Sequence, residues 1–214
     1  RRVLFRSYMV AEIWNGADYI TTHGYGSNSK PALASAFDFP VRTAMVQSTG
    51  GDKAGNHSRP ATALANAMRI SLQYPDHAMP NLMLSTHDVP RFGDLLERVN
   101  LAQYGSPEYW ARFRAAFSFM AAYSGPLTVL YNDEIGAQLP NFAGGVNSSS
   151  CALQGLCDDH VGRLSARILG VPGMVGAKPA TFTKDESALR DYVAKLMALR
   201  DSHLSLSQGS RTPI

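Results

Sequence analysis

Four times along the chain a short apolar run gives way to polar or acidic residues and then to a helical pattern. This alternation limits the fold more than any other feature of the sequence. A run from Tyr8 to Trp14 contains Glu12 and is closed by Asn15-Gly16. Ser35 to Phe39 contains Asp38 and stops at Pro40. Asn81 to Ser85 leads to His87-Asp88. Leu127 to Tyr131, opened by Gly125-Pro126, leads to Asp133-Glu134. Short apolar runs bounded by turn formers read as buried strands. Helical patterns lie between and after them. One reaches about Ser48. A second starts at Pro60 and carries Ala61, Leu64, Ala65, Met68 and Leu72. A third starts at Pro107 and sets Trp110, Phe113, Phe117, Met120 and Ala121 on one face. The last, Ser187 to Arg200, has Leu189, Val193, Leu196, Met197 and Leu199 as its apolar set. Asp18 to Pro31 reads as loop, as does the stretch from Gly136 to Lys184. Strand–helix alternation predicts an α/β fold with a parallel sheet under covering helices. Ligands in such folds bind beyond the carboxyl ends of the strands. One acidic residue there is an ordinary solvated loop carboxylate; four in register are expected to converge on one face.

Composition narrows the class. With 214 residues, 45% of them apolar and 17% charged, the chain is of ordinary globular make-up. The net charge of +3 is small, and no run of Lys and Arg offers a footprint for nucleic acid. The longest apolar region, Ala115 to Tyr131, is broken by Ser118, Ser124 and Gly125-Pro126, so no membrane span is expected. Cys151 and Cys157 lie in one Gly/Ser-rich stretch. They are either incidental thiols or a local disulfide that leans towards a periplasmic or secreted setting; localisation is otherwise unknown. A zinc site would need two further ligands that the surroundings do not supply. Arg1 to Ser7 reads as a non-native leader (residues 1–7), and native sequence is expected from Tyr8. Residues 210–214 read as the truncated start of a following region.

The strand ends carry motifs. Val10-Ala11-Glu12-Ile13-Trp14, Phe37-Asp38-Phe39-Pro40, Ser85-Thr86-His87-Asp88-Val89-Pro90-Arg91-Phe92 and Tyr131-Asn132-Asp133-Glu134-Ile135-Gly136 occur in this order. Together they resemble the fifth to eighth barrel strands of the alpha-amylase family of glycoside hydrolases. The helix and turn from Tyr192 to Gly209 resemble the last barrel helix. Asn132 and Ala11 stand where the family usually has Gly. The resemblance implies a partial (β/α)8 TIM barrel over residues 8–209, the C-terminal half of a catalytic domain whose N-terminal half is missing. The family's nucleophile is an Asp two residues after an Arg, and no Arg here is followed in that way.

The resemblance also implies a chemistry: hydrolysis of α-glucosidic bonds in starch-like glucans or maltooligosaccharides by a retaining mechanism. That mechanism uses two carboxyl groups about 5 Å apart. Glu12 corresponds to the acid/base, kept protonated by the apolar walls of Ile13 and Trp14 and by neighbouring carboxylates. Asp88 corresponds to the carboxylate that grips sugar hydroxyls, and His87 to the histidine on the same sugar. Trp14 is a candidate platform for a sugar ring, with packing as its alternative. Arg91 is grouped with the substrate-binding residues, although its place suits it better to holding nearby carboxylates. Asp133 and Glu134 suit a structural role. No cofactor is expected in this stretch. Calcium belongs to the full-length enzyme, and the Asp158-Asp159-His160 cluster has little to recommend it as a site. The isolated chain is expected to be inactive and to associate through open strand edges. Transglycosylation or isomerisation by the same carboxylates, and a non-catalytic carbohydrate-binding or transporter-associated relative, are the alternatives.

Overall fold

The computed structural model describes residues 8–52, 54–138 and 182–209. Four short parallel strands follow one another in chain order. β1 (Val10–Ala11) pairs with β2 (Ser35–Ala36) in the register Val10 to Ser35 and Ala11 to Ala36. β3 (Leu82–Met83) pairs with β4 (Leu127–Thr128), Leu82 to Leu127 and Met83 to Thr128. A parallel bridge from Phe37 to Asn81 joins the two pairs. It is secured by Asp38 N donating to Asn81 O at 2.9 Å and Asn81 N to Ala36 O at 2.8 Å. The order β1-β2-β3-β4, all parallel and with intervening helices, is that of a barrel segment. No closed barrel forms among the described residues.

The paired ladders are shorter than the apolar runs that announced them. Local chemistry explains the second. Asp38 accepts from Val41 N at 3.2 Å and so caps α2 (Phe39–Thr49), with Pro40 in its first turn. Phe39 therefore belongs to the helix and not to the strand. α3 (Ala61–Ser71) starts after Pro60. α4 (Phe92–Arg98), unannounced by any strong periodicity, follows Arg91 directly. α5 (Pro107–Ala122) is capped by Ser106, which accepts from Tyr109 N at 3.2 Å. α6 (Lys184–Ser202) begins with a reciprocal box between Thr183 and Glu186. α7 (Leu204–Gln208) closes the described chain.

One segment read as loop is ordered differently. α1 (Ala17–Ile20) runs into a π-helical turn over Thr21–Tyr25. The hydroxyls of Thr21 and Thr22 return to the carbonyls of Ala17 and Asp18, each at 2.9 Å. Ile20 and Tyr25 are fully buried, and this anchoring holds the segment in place of turn propensity.

The main core joins α2, α4, α5 and α6 to β3. Phe113, at its centre, meets Phe92 edge to face at 5.0 Å. A second cluster of Ile20, Tyr25, Ala36 and Tyr74 backs β1 and β2, and Ile13 packs against it. At the entry to β4, Gly125 has φ +101°, and a Cβ there would lie 2.2 Å from the Pro80 carbonyl oxygen. Arg200 reaches from α6 to the same turn. It donates to Ala121 O at 2.9 Å, Tyr123 O at 2.7 Å, Leu206 O at 2.8 Å and also to Gly125 O.

Candidate functional site

Two pairs of side chains stand at strand exits. Beyond β1, Trp14 Nε1 donates to Glu12 Oε1 at 2.9 Å, and both residues are exposed, Trp14 by 52%. The indole stacks on Phe39 with centroids 4.2 Å apart and planes 27° apart. The exit of β1 is thereby tied to the first turn of α2. Phe39 is a site residue that sequence reading missed. It stood in the motif Phe37-Asp38-Phe39-Pro40, but nothing in that motif pointed to a contact with Trp14. Ile13 packs against the second core cluster, and Trp14 is in contact with the Glu12 carboxyl.

Beyond β3, His87 Nε2 lies 3.0 Å from Asp88 Oδ2, with the histidine side chain 59% and the aspartate 28% exposed. The backbone amide of Asp88 is held by Thr86 Oγ1 at 3.2 Å. These two pairs present carboxylates, an imidazole and an indole to solvent. β2 alone separates their strands, which at a strand spacing of about 4.8 Å sets the axes of β1 and β3 about 10 Å apart.

The other two acidic clusters turn inwards. Asp38 is fully buried; besides capping α2 it accepts from Tyr74 at 3.3 Å and from Tyr123. Asp133 is buried with Arg91, Oδ1 to NH1 at 3.0 Å. Arg91 corrects its placement among substrate-binding residues. Its side chain has no exposed surface, its NH1 donates to Tyr131 O at 2.8 Å, and its guanidinium lies 4.8 Å from the Tyr131 ring centroid. It holds the exit of β4 against the turn after β3. Burial raises the pKa of Asp133 from 3.8 to about 6, although Arg91 and a hydrogen bond from Ser85 pull it the other way. Of the four clusters expected on one face, two stand exposed at strand exits and two are turned inwards.

At the opposite ends of the strands, Tyr8, Ser35 and Asn81 bond to one another. Tyr8 OH lies 2.8 Å from Ser35 Oγ and accepts from Asn81 Nδ2 at 2.7 Å. No group of three or more His, Cys, Asp or Glu among the described residues is placed to hold a metal ion. No helix there is long and apolar enough to cross a membrane. Cys151, Cys157 and the Asp158-Asp159-His160 cluster lie outside the described residues.

No protein-family model matches the chain, and no curated protein matches it. Solved structures do. AmyP in complex with maltose is 47% identical, with a TM-score of 0.86 over 96% of this chain and 40% of that one. A Glu-to-Gln variant of AmyP in complex with maltotriose matches at 47% identity and a TM-score of 0.87, covering 97% of this chain and 40% of that chain. An alpha-amylase from Geobacillus thermoleovorans, complexed with acarbose, shares 16% identity at a TM-score of 0.61 over 93% of this chain and 34% of its own, a likeness of fold alone. The chain thus spans about 40% of the length of AmyP.

Proposed function

We propose that the chain, 47% identical to AmyP along nearly its whole length, belongs with the alpha-amylase family of glycoside hydrolases and carries the acid-bearing part of an α-glucan hydrolase. In this reading β1 to β4 are the fifth to eighth strands of the catalytic barrel. The substrate is a starch-like glucan or maltooligosaccharide, and the mechanism is retaining. The observation that carries the reading is the pair of open strand exits, Glu12 with Trp14 and His87 with Asp88, in a chain 47% identical to a maltose-bound protein.

Glu12 gives its proton to the glycosidic oxygen as the bond breaks, then takes one from the water that ends the cycle. The Trp14 N–H holds Oε1, so Oε2 is the oxygen turned to this task. The indole face receives the leaving sugar. Asp88 accepts hydrogen bonds from hydroxyls of the sugar being cleaved, each worth about 1.5–3 kcal/mol to a charged group. Its charge also opposes ionisation of Glu12. His87, against Asp88, donates to the same sugar. The nucleophilic carboxylate comes from outside these 214 residues, so the isolated chain does not turn over maltooligosaccharides.

The test is a chimera in which residues 8–209 replace the matching part of AmyP. It is expected to hydrolyse maltotriose, and Asp88→Asn to slow it about 100-fold or more. Asp88→Asn at full rate would remove Asp88 from the mechanism. Measurable hydrolysis by the isolated chain would contradict the assignment of the nucleophile.

A further inference from the structure

We propose an outlying α-glucan subsite in the groove between the α1 turn and α3, with Tyr19 and His23 as its aromatic wall. The ligand class rests on the reading of the chain as an α-glucan hydrolase; the groove itself rests on geometry. An open cleft of about 610 Å³ has Asn15, Asp18, Tyr19 and His23 on one side, with Ile70 and Gln73 on the other. A smaller cleft of about 180 Å³ continues it between the same two segments. Both walls come from within the chain.

Three features fit a sugar. The first is a flat ring pair: Tyr19 and His23 stack at 3.8 Å and 14°. Tyr19 is 46% exposed and leaves an open ring for the C–H face of a pyranose. The pair is spaced i,i+4 along the helical turn, which sets His23 beside Tyr19, with Nδ1 3.2 Å from the Tyr19 carbonyl. The second is a fringe of exposed hydrogen-bonding groups on Asp18, Thr22 and Gln73, suited to hydroxyls that both donate and accept. The third is charge: the lining has no Lys or Arg, so an anionic ligand finds no counter-ion there. The groove begins at Asn15, the residue after Trp14.

The test is titration of the 214-residue chain with maltotriose, read as Kd by calorimetry. Tyr19→Ala is expected to raise Kd about tenfold, Gln73→Ala to raise it severalfold, and Tyr19→Phe, which keeps the ring, to leave it within about twofold. Gln73→Ala serves as an independent probe if Tyr19→Ala disturbs the turn. Unchanged Kd in both Tyr19→Ala and Gln73→Ala, with weakening in Trp14→Ala, would overturn the outlying subsite and leave the proposed function standing. Failure of the unmodified chain to bind maltotriose would also overturn the outlying subsite, while the proposed function stands or falls separately on hydrolysis by the chimera.

Discussion

Arg91 and Asp133 show what a single residue pair decides in this chain. Both are buried, and their contact joins the turn after β3 to the exit of β4. Removing the guanidinium strands a buried carboxylate. Arg91→Met is therefore expected to cost about 3–5 kcal/mol in urea unfolding. Asp133 has its own signature. Its pKa in the fold, about 6, is raised above the ordinary 3.8, so its proton stabilises the fold at low pH. That contribution is complete below 3.8 and is lost as pH rises through about 6. In Asp133→Asn this part of the pH dependence of the unfolding midpoint is expected to vanish; an unaltered slope would place the effect elsewhere. The sequence made Glu12, His87 and Asp88 legible because each stands in a distinctive motif at a strand exit. It gave Asp133 and Glu134 a structural role, yet it expected all four acidic clusters, Asp38 included, on one face. Period-two patterning locates a strand end but not which neighbours, here Tyr74, Tyr123 and Arg91, will close over a carboxylate there.

Among the elements, the helices were easier to read than the strands. α5 announces itself through Pro107 after Ser106 and a long apolar face, and it forms where expected. Phe113 on that face is fully buried, with Phe92, Tyr109 and Phe117 around it. Phe113→Ala is expected to destabilise the chain by about 3–5 kcal/mol; a loss under about 1 kcal/mol would mean that α5 is not the centre of the core. The strands were overextended because an apolar run reports burial, whereas a ladder needs a partner in register. The run from Ser35 ends early because Asp38 caps a helix. The α1 turn was missed altogether. Its residues are polar, and what orders them is the burial of Ile20 and Tyr25 together with hydroxyl bonds that no periodicity reveals. Arg200, read only as part of a helix, clasps four carbonyls across 6 to 79 positions of sequence.

The whole molecule is a run of four parallel strands with two outer edges, β1 and β4, unpaired among the described residues. Exposed Tyr8 and Met9 flank one edge and Val129 the other. Such edges template further pairing. Light scattering of the isolated chain is expected to show association that rises with concentration; a sharp monomer across the range would contradict it. If the chain is the barrel segment proposed above, joining it to the rest of a barrel in the chimera with AmyP is expected to make the same edges interior and to bring the exits of β1 and β3 to one mouth. The strongest demand is on Glu12 as proton donor. An α-maltoside with a dinitrophenyl leaving group needs no proton to depart, whereas maltotriose does. In the chimera, Glu12→Gln is expected to lower kcat/KM for maltotriose by about 10²–10⁴-fold while sparing kcat/KM, though not kcat, for the activated maltoside. Equal losses on both substrates, or none on either, would show that Glu12 is not the acid.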